Sequence, residues 1–97
     1  MFLMKIHESD KGNIVAVCDA DILGKSFESG EFCLRVEDSF FGGHAATAEE
    51  IAAAIRCCAT ANIAGNRIIA ELLAQGTITE KGVKEIQGVK YSMIFRL

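Results

Sequence analysis

Proline is absent from this chain, so every sharp bend must be made by residues that tolerate positive φ, and the nine glycines become its punctuation. No apolar run approaches the roughly 18 residues of a membrane span, and the apolar stretch Met1 to Met4 is too short for a signal peptide. The expectation is a cytoplasmic protein with no membrane partner. The four cysteines, Cys18, Cys33, Cys57 and Cys58, contain no CxxC pair, and nothing before them suggests export, so they read as reduced thiols. Aromatic residues are only 7 % of the chain against 51 % hydrophobic residues, with much of the apolar content in Ala, Val and Ile. That composition favours close approach of backbones in a small-grained core. A net charge of -3 argues against an extended cationic footprint for nucleic acid, although ten Lys and Arg leave room for a local cluster.

What is present organises 97 residues into one expected domain, 1–97. Phe2, Met4 and Ile6 alternate with Lys5 and His7, the period of a half-buried strand over 2–8. After the turn residues of 9–13, the run at 14–18 is apolar on both sides and reads as a central strand that returns on the first as a hairpin. Residues 20–30 form a connection in which Ile22, Leu23 and Phe27 tuck against the core. The alternation over 31–37 predicts a third strand with Phe32, Leu34 and Val36 inward. Thr47 and Glu50 form a capping box, which predicts a helix over 48–61. A break at 62–66 precedes a second helix over 67–75, stopped by Gly76. Strands over 83–87 and 89–97 close the chain, the last with Val89, Tyr91, Met93, Phe95 and Leu97 on one face and Lys90, Ser92 and Arg96 on the other. The fold class is α+β, a mostly antiparallel sheet of about five strands with two helices in the order β-β-β-α-α-β-β.

The segments VAVCD, ILGK, Phe27 with Gly30, the FFGG step, ANIAG, and Gly88-Val89 together resemble a family of short archaeal proteins known as domain of unknown function 424. The resemblance spans nearly the whole chain. It implies a compact α+β domain of an archaeal cytoplasm and brings no activity, cofactor or partner with it.

No residue group has the spacing of a known catalytic or metal motif, and neither metal nor cofactor is expected. Asp19 and Asp21 lack the further oxygens of a calcium loop. A zinc site would need Cys18, Cys33, His44 and a helical cysteine to converge, yet Cys57 and Cys58 point about 100° apart on a helix. The favoured site is instead a rim of backbone amides that attracts anions. Gly42 and Gly43 precede the first helix, and Gly65, Asn66 and Arg67 open the second after Asn62. Lys25 and Arg67 add charge, Phe41 is a candidate contact with Phe40 turned inward, and His44 sits beside them. The leading expectation is a non-catalytic binding module for a protein or ribonucleoprotein partner, with translation as a setting suggested by kind alone. The alternative is a small enzyme or thiol-dependent factor using Cys18 and Asp19 at a strand end. A third expectation is a homodimer formed through the exposed edge of the C-terminal strand.

Overall fold

A computed structural model describes residues 1–96. Phe2–His7 forms β1 and Ile14–Asp19 forms β2, paired antiparallel with Phe2 opposite Asp19 and His7 opposite Ile14. A 3-10 turn at Ala20–Ile22 leads into β3 (Ser26–Ser29) and β4 (Phe32–Arg35), a separate two-stranded hairpin. There follow α1 (Asp38–Phe41), β5 (His44–Ala46), α2 (Ala48–Arg56), β6 (Thr60–Ala64) and α3 (Asn66–Ala74). A second 3-10 turn at Glu80–Gly82 precedes β7 (Val83–Ile86) and β8 (Val89–Phe95). The six-stranded sheet has the order β5-β1-β2-β6-β8-β7. β2 and β6 run parallel, and the other neighbours are antiparallel.

Both faces of this sheet are covered. Along β2 the side chains alternate: Val15 and Val17 join one core with Ile63, Ile51, Ile55, Ile68, Ile69 and Leu72, beneath α2 and α3. Ala16 and Cys18 face the other way, into a second core with Val36, Phe41 and Ala64, under the hairpin and α1. Ile22, Leu23 and Phe27 pack against this second core, as their apolar character predicts. A strand buried on both faces reads as a continuous apolar run, which is why 14–18 is so readily recognised.

The covering elements are tied by polar groups from the sheet. At α2 the capping box forms as predicted: Glu50 donates its backbone N–H to Thr47 Oγ1 at 3.1 Å, and Thr47 N–H donates to Glu50 Oε1 at 2.8 Å. That hydrogen bond holds the Glu50 carboxyl below its usual range. The far end of α2 is closed by Arg96, whose guanidinium donates to the carbonyls of Ile55 and Cys58. On the opposite face Lys5 donates to the Ser39 carbonyl at 3.0 Å, and His7 meets the Phe40 carbonyl at 3.0 Å with its ring stacked on that of Phe40. Two side chains of β1 thus hold α1, a single turn whose carbonyls have few partners of their own.

Several expectations are corrected. The helix predicted over 48–61 stops at Arg56, and 60–64, read as a helix end and a break, is β6 at the centre of the sheet. Local propensity favours helix in an alanine-rich run, but this segment lies between two cores, with Ala61 and Ile63 buried in one and Ala64 in the other, and its pairing with β2 and β8 outweighs that preference. The strand predicted over 31–37 exists, but pairs with Ser26–Ser29 and lies outside the main sheet, leaving Phe32 exposed. Residues 38–41 are helical, so Phe41 turns inward and Phe40 is half-buried, the reverse of the expected pair. In β8 the face is inverted: Ser92 is buried and bonded to the Gly82 carbonyl at 2.8 Å, while Met93 and Phe95 are exposed. β8 is also internal, flanked by β6 and β7, so the expected C-terminal edge belongs to β7. Leu97 lies outside the described residues.

Because Ile63 is locked between β2, β8 and both long helices, Ile63→Ala should lower unfolding free energy by about 2–5 kcal/mol in urea titrations. A loss under about 1 kcal/mol would mean that β6 is not held in the core as described.

Candidate functional site

The parallel strands β2 and β6 end side by side, with Cys18 opposite Ala64, and α3 begins immediately beyond. The expected anion site at this helix start already has its anion. The buried Asp19 carboxylate accepts from Arg67 N–H at 3.0 Å and Ile68 N–H at 2.9 Å. A negative charge against free amides at a helix N-terminus is favoured both by hydrogen bonding and by the helix dipole. Gly65 makes the contact sterically feasible. Its φ of 129° is left-handed, and a Cβ there would fall on the Asp19 carboxyl group. Asn66 completes the junction by accepting from Lys90 N–H at 2.8 Å and donating to the Gly88 carbonyl at 2.9 Å, which fastens the β7–β8 turn.

The remaining predicted rim residues disperse. Gly42 caps α1, and Gly43 lies so close to the Met4 carbonyl of β1 that any side chain would collide with backbone. His44 is exposed on β5 opposite Met4. Lys25 is exposed at the root of the hairpin, where its backbone bonds Ile22 and Val36. Arg67 borders a shallow recess of about 320 Å³ with Phe2, Ala70, Glu71 and Ala74, and Lys25 is not among its lining residues. At this helix start Gly65 N–H donates to the Lys90 carbonyl, while Arg67 and Ile68 N–H are taken by Asp19.

Cys18 is 0 % exposed, and burial, followed by the charges of Asp19 and Asp21, pushes its thiol up to about 11. Its neighbour Asp19 is committed to α3. Cys58 is also buried, and burial raises its thiol despite nearby Arg96. Cys33 and Cys57 are exposed. Among the described residues no group of three or more His, Cys, Asp or Glu is placed to hold a metal.

A different surface emerges between the β3–β4 hairpin and the sheet. There Phe32, Leu34, Phe41, Asn62, Tyr91 and Met93 surround a cleft of about 160 Å³. Asn62 and Met93 are directly opposite across β6 and β8, and Phe95 extends the same face. Phe32 is 73 % exposed, Met93 52 % and Phe95 68 %, so the cleft opens onto apolar side chains in contact with solvent. Of the predicted site residues only Phe41 and Asn62 line it. The strict alternation of Tyr91, Met93 and Phe95 was a usable signal for the rest, since one apolar row on an alternating strand need not be the buried one.

A family model described as "Protein of unknown function (DUF424)" matches residues 6–97. The chain belongs to this family. A solved structure, that of an uncharacterized conserved protein from Methanopyrus kandleri, is similar at a TM-score of 0.81 and 22 % identity, covering 99 % of this chain and 91 % of that one. At that identity the likeness speaks to the fold. No curated protein matches. Among the described residues, no helix is long and apolar enough to cross a membrane.

Asp19→Ala in this family member should cost roughly 1–3 kcal/mol of stability, since two amides lose their acceptor, and Asp19→Asn less, because one oxygen remains. Chemical denaturation of the three proteins in parallel checks the order. In native alkylation at pH 8, Cys33 and Cys57 should react while Cys18 stays protected until unfolding. The raised Cys18 value also gives a sign: its contribution to stability is complete below about pH 9 and is lost as pH rises toward about 11, because the unfolded thiol ionises first.

Proposed function

We propose that this chain is a non-catalytic binding module for a protein partner, and that it makes contact through the cleft between the β3–β4 hairpin and the sheet. One observation carries the reading: Phe32 and Met93, two large apolar side chains in solvent, border that cleft, and Phe95 stands exposed further along the same strand as Met93. Scattered exposed apolar residues are ordinary, but a group surrounding a recess is the pattern of a contact surface. Asn62, half-buried in the cleft wall, supplies a polar group to orient what binds. Aromatic and methionine side chains are also those enriched where proteins meet.

The same features favour a protein over a ribonucleoprotein. The net charge is -3, and Lys5, on this face of the sheet, is engaged by the Ser39 carbonyl. The translation setting has no observation in its support, and the thiol alternative is weakened by the burial and raised pKa of Cys18.

The test is retention of partners from the native cytoplasm on immobilised protein, with nuclease present and absent. Phe32→Ser and Met93→Ser should each lower retention of a specific, nuclease-insensitive protein by about tenfold, the scale of an interface anchor. Thermal midpoints should stay near that of the parent because both side chains are exposed. Retention that ignores both substitutions, or that vanishes with nuclease, would overturn this reading.

A further inference from the structure

The sheet ends at β7, and the chemistry of that edge specifies what it can take. β7 and β8 are joined by a two-residue turn, Gln87–Gly88, in which both residues have positive φ, 49° and 78°, with Ile86 opposite Val89. In such a hairpin the pair beside the turn exchanges both hydrogen bonds, and bonded and non-bonded pairs then alternate. Ile86 and Lys84 therefore direct their backbone groups to β8, while Glu85 directs its N–H and C=O outward, as does the carbonyl of Val83. The Val83 N–H is used at home, donating to the Glu80 carbonyl. Among the described residues no further strand of this sheet pairs with β7, although the β3–β4 hairpin packs close to it. Beside the edge, Ser29, Phe32, Lys84, Ile86 and Tyr91 border a recess of about 310 Å³, with room for a large apolar side chain. Phe32 is shared by this recess and the cleft.

We infer that β7 is the docking edge for an extended segment of a different protein, which adds as a further strand and places one apolar side chain in the recess bordered by Phe32, Ile86 and Tyr91. The inference rests on the binding-module reading and gives it a mode of recognition. Three outward backbone groups offer the hydrogen bonds of strand addition, and the adjoining recess gives selectivity by side chain.

A second copy of this chain is the obvious rival occupant, and the charges of β7 count against it. A two-fold pairing of β7 with itself keeps each residue on its own face of the sheet, so one residue must sit opposite its own copy. Centred on Lys84, it opposes two ammonium groups; centred on Glu85, two carboxylates. Like charges directly opposite are destabilising. Centring on Val83 draws in the Glu80–Gly82 turn, and centring on Ile86 draws in Gln87–Gly88. Lys on an exposed edge is a familiar barrier to self-association. A foreign strand with an acidic residue opposite Lys84, and an apolar one two positions along near Ile86, meets no such barrier.

A phage-displayed library of random 12-residue peptides, selected on the intact chain, tests this directly. Recovered peptides should alternate apolar and polar residues with an acid two positions from an apolar residue, and a synthetic binder should slow exchange of the Glu85 amide at least about tenfold. Methylating alternate backbone nitrogens of that peptide in one register, but not the other, should weaken binding by about tenfold or more. Glu85→Pro should do the same, because this N–H faces away from β8 and proline is tolerated at such edge positions. If Glu85→Pro disturbs the fold, the methylated peptides still decide. Failure to recover any alternating binder, an unchanged Glu85 amide, or indifference to methylation in both registers would overturn the inference. Binding that ignores methylation but is lost in Met93→Ser would leave the cleft reading standing while removing strand addition. Binding lost on methylation but unaffected by Met93→Ser would do the reverse. Sedimentation should show a monomer at high concentration; a dimer abolished by Glu85→Pro would assign the edge to a second copy.

Discussion

The Asp19 carboxylate joins the end of β2 to the first amides of α3. Much of the architecture depends on this contact. β2 and β6 are parallel neighbours, so the contact fixes where α3 leaves the sheet after β6 and which face it covers. The left-handed Gly65 permits it, and Asn66 extends it to the β7–β8 turn. In an open sheet the ends of parallel strands facing a helix start are a common place for an anionic ligand. Here the chain supplies the anion itself through Asp19.

The sheet is covered unequally. On one side α2 and α3 bury a continuous aliphatic core; on the other, the hairpin and the single turn of α1 cover only part of the surface. Small residues in β2 and β6, such as Ala16, Ala61 and Ala64, let both layers approach closely. Because the hairpin is a separate sheet tied through Gln87 to the Glu28 carbonyl, it overhangs the strands without sealing them. Phe32, at the overhang, faces solvent for that reason. An incomplete second layer accounts for both the cleft and the recess at β7, with no catalytic group required at either.

How legible this was differs from element to element. The first hairpin, the capped start of α2, the α3 stripe and the final pair of strands each carry a local period or a local hydrogen-bonding signature. β6 carries neither. Its sequence, Thr-Ala-Asn-Ile-Ala, continues the alanine-rich composition of the preceding helix, and becomes a strand through pairing with β2 and β8. Phe40 and Phe41 exchanged roles because a single helical turn rotates adjacent side chains by about 100°, where an extended segment would oppose them. The candidate site suffered most. Glycines beside a helix start read equally well as a ligand cradle or as space for a carboxylate, and the partner, Asp19, lies 48 residues before Arg67.

The sequence by itself determined the α+β class, the two-sided burial of β2, the boundaries set by the capping box and by Gly76, and the family. The first three follow from periodicity and short-range hydrogen bonding, which act within a few residues, and the family from the resemblance of several short segments taken together. Only the tertiary structure decided the parallel placement of β6, which face of β8 meets solvent, that Asp19 closes the start of α3, and that β7 ends the sheet beside β8. Each depends on contacts between residues far apart in the chain, where burial and hydrogen-bond satisfaction outweigh the small intrinsic preferences of any local segment.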